Sequence, residues 1–510
     1  MKEIDEAKLI LVGNGGVGKT SLVSSLIKKR DDKTSVTTQH STRGIDVKQW
    51  ILSWDVKEQS GNDTNRLQLN IWDFGGQEAY HATHQMFLTN QSLYLVVTDA
   101  VSGDTEDDLF YWLNMIDSNA KNSPVIVVMN KIDQRYKELP VGNLQRQFKN
   151  IVGFHKVSCV DSFEDTVDSL RADIVRQVSK DNLLRTSSQV IPQSWSEVKE
   201  NLLIEKEAGR KYLDIAELKA IANKANCSSG NELAVLSNYL HRVGFFLHFQ
   251  NDFELRRKVF LDPQWVLDAV YKVLDDNEII ASRGVFTDKD LMRVWSDDYT
   301  EDVQPELISL MKLFEVCFEI NRCEFLAPSL LPREQPELGW NETPPILHFE
   351  FRYQYLPNGI MSRFIVRRNR DIKKGNYWRY GALVNFEETE AYIEEVSVNN
   401  KIIVKSKGSQ KRELLTIIRK TFHEIHNSFH GLLVEEMVPC NCTECVQSNE
   451  PFFYSFEKLL VRLTINKMSV ECGKSFQDVS ISSILDGVDM PSDEKISQAL
   501  EAIRVKRLNL

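Results

Sequence analysis

Hydrophobic and polar positions along this chain change pattern three times. Up to about residue 180, apolar runs such as Leu9-Ile10-Leu11-Val12, Val125-Ile126-Val127-Val128-Met129 and Ile151-Val152-Gly153-Phe154 alternate with helical spacing, as at Leu22, Val23, Leu26 and Ile27. Unbroken apolar runs fit strands covered on both faces, so this region predicts a mostly parallel, doubly wound α/β sheet. The segment from Trp50 to Leu67, with Gly61-Asn62-Asp63, reads as a hairpin joining strands two and three. Residues 181–190 are a polar linker. Residues 191–335 carry helical periodicity (Leu202, Ile215, Leu218, Ile221, Leu233, Leu236, Leu240), and Phe245–Phe249 with Val259–Leu261 reads as a short hairpin. Helices plus a hairpin predict a winged-helix-like arrangement. Pro328, Pro332, Pro336, Pro344 and Pro345 mark the next boundary.

Residues 346–438 alternate as antiparallel strands do, at Leu347-His348-Phe349-Glu350-Phe351 and Tyr377-Trp378-Arg379-Tyr380. Leu415, Ile418, Phe422, Ile425 and Phe429 then line one helix face. Residues 439–510 read as a small cysteine-containing module. The expected domains are therefore 1–180, 191–335, 346–438 and 439–510.

Chemistry enters where the first apolar run ends. Gly13-Asn14-Gly15-Gly16-Val17-Gly18-Lys19-Thr20 fits G-x-x-x-x-G-K-[ST] between a strand and a helix, with Ser21 opening that helix. Backbone N–H groups of such a loop converge on phosphate oxygens and the helix N-terminus favours anions. Lys19 would reach the β- and γ-phosphates, and Thr20 would ligate Mg²⁺. The strand Leu67–Trp72 runs into Asp73-Phe74-Gly75-Gly76-Gln77, which puts a carboxylate where it can join the Mg²⁺ shell. Gly76 can bring its N–H to a γ-phosphate, and Gln77 can orient an attacking water. Asn130-Lys131-Ile132-Asp133 follows another strand. Asp133 there would accept two hydrogen bonds from guanine that adenine cannot supply, and Ser158-Cys159 would close over the base.

These motifs, in this order, resemble a small GTPase, and more narrowly the Roc domain of bacterial-type Roco proteins. That likeness also rests on Tyr80-His81 after the Asp73 segment and on Thr42-Arg43-Gly44-Ile45-Asp46-Val47 with Trp50. It implies a P-loop GTPase fold with a six-stranded sheet, a switch threonine at Thr42 that contacts Mg²⁺ with Thr20 and Asp73, and GTP/GDP as ligand. Arg43 is a candidate charge-neutralising arginine. The segments 191–195, 240–244, 261–265 and 269–271 resemble COR, which implies helical COR-A, α+β COR-B, homodimerisation through COR and protein effectors. Neither leucine-rich repeats before Roc nor a kinase after COR is seen, so the chain is a compact member or a fragment. An ATP-driven switch of P-loop plus winged-helix type and a non-hydrolysing GTP-bound scaffold are the alternatives.

Composition narrows the partners. A formal net charge of −11 argues against nucleic acid, and no apolar run is long enough to span a bilayer. The acidic N-terminus is not a signal peptide. The eight cysteines do not read as a disulfide framework, which together with cytosolic GTP points to a cytoplasmic protein. Four of them cluster: Cys440, Cys442, Cys445 and Cys472 suit a structural Zn²⁺ site, with unpaired loop cysteines or a redox-labile pair as the competing readings. His423, His426 and His430 share a helix face and are a weaker metal candidate, and Arg367-Arg368-Asn369-Arg370 reads as a solvated hairpin tip.

Overall fold

A computed structural model describes residues 5–28, 45–55, 64–75, 92–101, 105–120, 122–180, 192–227, 229–342, 346–429, 432–448, 450–486 and 488. The chain divides into two compact units, Met1–Val316 and Cys317–Leu510.

The first unit opens with a six-stranded sheet built from β1 (Asp5–Val12), β2 (Ile45–Asp55), β3 (Thr64–Phe74), β4 (Leu93–Asp99), β5 (Val125–Asn130) and β6 (Ile151–Lys156). Their order is β2-β3-β1-β4-β5-β6. Only β2 runs antiparallel to its neighbour, β3. Every residue of β4 and β5 is buried, as their unbroken apolar runs require. Helices α1 (Lys19–Ile27), α2 (Thr105–Asn119), α3 (Val141–Gln147) and α4 (Glu164–Lys180) accompany these strands. One core joins Leu9 and Leu11 of β1, Leu67, Leu69 and Ile71 of β3, Leu22 and Leu26 of α1, and Leu170 and Ile174 of α4.

The other faces of β1 and β3 carry Glu6, Lys8, Asn70 and Trp72, which are also buried. A strand sends alternate side chains to opposite faces, so these residues need a second cover. The helical half of the same unit supplies it. Lys199 pairs with Glu6, the Asn70 amide lies 3.5 Å from Val243 O, and Gly244 sits under the Trp72 ring. A Cβ at Gly244, whose φ is +74°, would stand 2.6 Å from that ring.

This helical half comprises α5 (Gln193–Glu207), β7 (Tyr212–Asp214), α6 (Ile215–Lys224), α7 (Gly230–Arg242), β8 (Lys258–Phe260), α8 (Pro263–Leu274), α9 (Asn277–Ala281), β9 (Val285–Thr287), α10 (Asp288–Trp295) and α11 (Gln304–Leu313). Helix starts follow local chemistry. Asp262 accepts from the Gln264 and Trp265 amides ahead of Pro263, which opens α8. The hairpin expected over 245–249 and 259–261 is reduced to one bridge, Leu247 to Phe260. Phe245 and Phe246 turn into the helical core instead, and β8 takes β7 as its ladder partner.

The second unit begins with an antiparallel hairpin of β10 (Phe318–Asn321) and β11 (Glu324–Leu326). Its main sheet contains β12 (Leu347–Tyr353), β13 (Ile372–Trp378), β14 (Gly381–Phe386), β15 (Thr389–Val396), β16 (Lys401–Lys407), β17 (Val434–Pro439) and β18 (Phe453–Ser455). The order is β13-β14-β15-β16-β12-β17-β18. Helices α12 (Ile360–Arg368) and α13 (Lys411–His426) meet through Phe364 and Phe422, whose rings stack with centroids 4.5 Å apart. The expected tip at 367–370 is instead the end of α12 and a short 3₁₀ turn. Ile360, Met361, Phe364 and Ile365 give that segment a buried helical face, and Arg367 and Arg368 fall in its last turn. Beyond β17 come α14 (Thr443–Val446), α15 (Phe456–Thr464), a β19–β20 hairpin (Ser469–Glu471, Asp478–Ser480) and α16 (Ile481–Leu485).

Candidate functional site

Parallel strands deliver their C-terminal residues to one edge of a sheet, and ligands of open α/β folds bind there. Here the register aligns Leu11 with Asp73, Asp99 with Asn130 and Met129 with Lys156. The glycine loop, Asp73, Asp99, Asn130 and Val157 therefore share that edge.

The loop is shaped by what surrounds it. A Cβ on Gly13 would stand 2.1 Å from Val97 O, so no other residue fits against β4. The Lys19 ammonium folds back over the loop, 2.6 Å from Gly13 O and 2.9 Å from Asn14 O. It is buried, and burial lowers its pKa from 10.5 to about 8, opposed by the charge of Asp73. Burial pushes the Asp73 carboxyl up, opposed by a hydrogen bond from Thr20 and by Lys19. Thr20 Oγ1 donates to Asp73 Oδ2 at 2.5 Å. This pair of hard oxygens beside a phosphate loop fits Mg²⁺, which would neutralise phosphate charge there.

The base-side loops are tied to the phosphate loop. Asn130 Nδ2 donates to Val17 O at 3.0 Å, while its Oδ1 accepts from Lys131 N at 2.8 Å. Lys131, at φ 59°, turns its ammonium to Gly16 O at 2.6 Å and Asp99 Oδ2 at 2.8 Å. Ser158 Oγ donates to Asp133 Oδ1 at 2.5 Å. Ser158 N lies 3.3 Å from Thr166 Oγ1, and Cys159 Sγ lies 3.7 Å from Asn130 Oδ1. Gly13 to Ser21, Asp73, Asn130, Lys131, Asp133, Ser158 and Cys159 thus belong to one strand-end cluster. Thr42, Arg43, Gly76 and Gln77 lie outside the described residues, as does His81.

Two members of the cluster escaped the sequence reading. Asp99 closes the buried run of β4, the same position that singled out Asp73 on β3. Trp112 Nε1 donates to Asn14 Oδ1 at 3.0 Å and braces the loop from α2; its signal in the sequence was only one apolar position of a helix.

The sheet order and the edge residues define a Ras-like GTPase domain, followed here by a helical and then an α+β region. The chain matches the family models for the Roc (Ras of Complex) domain of DAPkinase over residues 8–133, and for the COR-A and COR-B domains C-terminal of Roc over 192–331 and 344–487. It is 30% identical to the solved Roco2 RocCORdC of Methanosarcina barkeri bound to GDP, with a TM-score of 0.52, covering 65% of this chain and 97% of that one. The probable serine/threonine-protein kinase pats1 of Dictyostelium discoideum is 26% identical over 88% of this chain and 15% of its own length. A Roc-COR-CHAT protease of Runella zeae is 29% identical over 83% of this chain and 46% of its own length. The chain thus spans less than half of these curated relatives. It belongs to the Roco family, with Roc followed by COR.

Proposed function

We propose that this chain binds GTP with Mg²⁺ and hydrolyses it to GDP and phosphate, acting as a switch. The observation that carries the reading is the strand-end cluster. Lys19 holds two loop carbonyls that phosphate oxygens can replace, and Thr20 and Asp73 are paired for a divalent cation. Asp133, steadied by Ser158, has the acceptor chemistry for the guanine edge. Thr42 would join the Mg²⁺ shell, Gln77 would orient the attacking water, and Arg43 would neutralise charge on the transferred phosphoryl group.

The relay to COR is supported by β3. Asp73 ends this strand, while Asn70 and Trp72 on its far face touch Val243 and Gly244 of the helical half. A shift of β3 on γ-phosphate binding would press directly on COR-A. The reading also includes homodimerisation through COR, protein effectors, and the domain limits 1–180, 191–335, 346–438 and 439–510. Among the described residues no helix is long and apolar enough to cross a membrane. The eight cysteines, all among the described residues, form no disulfide, which supports the cytoplasmic reading.

Competition of GTP and ATP against labelled GDP tests the core of this reading, and equal competition by ATP would sink it. Asp133→Asn should weaken GTP more than about a hundredfold and gain xanthosine triphosphate, since two bonds to a charged acceptor are worth about 1.5–3 kcal/mol each. Gln77→Leu should keep binding and slow single-turnover hydrolysis. Light scattering on apo, GDP and GTP-analogue forms reads the dimer.

A further inference from the structure

The nucleotide reading leaves one constellation in the second unit unused. Cys440, Cys442, Cys445 and Cys472 are all buried, and their sulfurs lie within 4.8 Å of one another. Cys472 Sγ stands 3.7 Å from Cys442 Sγ and 3.6 Å from Cys445 Sγ. A bonded disulfide needs about 2.05 Å. Four sulfurs placed tetrahedrally about 2.3 Å from one ion would stand about 3.8 Å apart, close to the spacing found.

We propose that these four cysteines hold one structural Zn²⁺ ion. The hydrogen bonds around the sulfurs speak for thiolates gathered on a cation rather than buried neutral thiols, which are weak acceptors. Cys440 Sγ receives Cys442 N at 3.5 Å and the Tyr454 hydroxyl at 3.6 Å. Cys442 Sγ receives Cys445 N at 3.4 Å and Ser475 Oγ at 3.3 Å. Cys445 Sγ receives Phe452 N at 3.4 Å. Cys472 Sγ receives Lys474 N at 3.4 Å and Ser475 N at 3.5 Å. Every sulfur has at least one outer donor, the arrangement that offsets the surplus negative charge of four thiolates on a divalent ion.

The local turns explain the unusual C-x-C-x₂-C spacing. Cys442-Thr443-Glu444-Cys445 forms one knuckle, closed by its own amide-to-sulfur bond. Cys472-Gly473-Lys474-Ser475 forms the second, with serine at the place of the second cysteine. The missing ligand comes from Cys440, directly after β17, while Ser475 turns its hydroxyl to Cys442. The ion therefore joins three segments: the end of a sheet strand, the 442–445 turn and the 472–475 turn. With four protein ligands the site is closed and its role is structural. It fastens the short β19–β20 and α16 region to the sheet, adding to the burial of Ile481, Ile484 and Leu485 there.

Elemental analysis of the full chain, purified without chelator, tests this directly. About one zinc per chain is expected. Cys442→Ser should lose most of it and become several-fold more sensitive to protease in the C-terminal region, while Cys323→Ser, at an exposed cysteine outside the cluster, should keep it. Retained GDP binding by Cys442→Ser separates loss of the metal from global misfolding. Should that variant fail to fold, Co²⁺ exchanged into the wild-type chain should give the thiolate charge-transfer bands of a tetrahedral sulfur site. Iron in place of zinc, or a metal-free chain with a protease-resistant C-terminal region, would overturn the proposal.

Discussion

The nucleotide edge of the first unit and the cysteine cluster of the second both gather polar atoms from distant stretches of chain, yet they leave them in opposite states. At the nucleotide edge a buried ammonium rests on backbone carbonyls and a buried carboxylate rests on a hydroxyl. Burial disfavours the charge on both Lys19 and Asp73. At the cysteine cluster each sulfur faces a common centre and takes a donor from outside. The first arrangement is poised for partners that come and go; the second is closed. Functional polarity thus differs from structural polarity in how much of it remains to be satisfied by a ligand.

The largest expected effect comes from removing Lys19. Lys19→Ala should weaken GDP by more than about a hundredfold in calorimetric titration, because bonds from a charged donor to phosphate are worth about 1.5–3 kcal/mol each. It should not lower the Tm of the nucleotide-free protein, because a desolvated ammonium leaves the fold. A large drop in that Tm would make Lys19 a structural residue and break the comparison.

Next comes the contact that covers the far face of β3. Gly244→Ala places a methyl against Trp72 at a positive φ and should cost about 1–3 kcal/mol, read as a fall in Tm. Trp72→Leu in the same chain should restore part of that loss, since it clears the space. Failure of the double variant to recover would move the strain from the ring to the backbone.

A third effect follows pH. Burial alone would raise the Glu436 carboxyl, but the hydrogen bond from His423 and the charge of Arg419 bring it from 4.5 down to about 2. A carboxylate with a depressed folded pKa contributes stability above its ordinary value, and that contribution is lost as pH falls toward about 2. Glu436→Gln should therefore flatten the decline in urea midpoint between pH 5 and pH 2.5, roughly the window between those two values. An unchanged slope would mean that other carboxylates set the acid limit.

The smallest effect tests what holds the C-terminal region. Arg412 and Asp486 pair at 2.7 Å but are 51% and 78% exposed. Arg412→Ala should alter stability by less than about 0.5 kcal/mol, in contrast to loss of the cysteine cluster. A shift of several degrees in Tm would transfer the fastening role to this ion pair.

The nucleotide edge was legible because its residues sit in short local patterns, each at the end of an apolar run. Parallel pairing then brings such ends together whatever the intervening sequence. Asp99 obeys the same rule, but no neighbouring motif drew attention to it. The cover over Trp72 was not legible, because Trp72 and Gly244 meet only through packing between distant segments. The expected hairpin at 245–249 failed for a related reason: Phe245 and Phe246 suit a strand and a buried turn equally well, and the helical core decided between them. At 367–370 the run of arginines masked the helical period of Ile360, Met361, Phe364 and Ile365 behind it. The histidines nearby illustrate the opposite error. His423 meets Glu436 at 2.8 Å and His426 meets Tyr353 at 2.8 Å, so both are occupied within the fold; His430 lies outside the described residues.

The Asn130 side chain hangs two loops from one knot. Its amide nitrogen grips Val17 of the phosphate loop, and its oxygen grips Lys131 of the base loop, whose ammonium returns to Gly16. A guest held at both ends of such a cleft cannot fray from one end while the other stays fast. For a guanine nucleotide bound as proposed, departure of the base end and departure of the phosphate end would become a single event, and its release should follow a single exponential.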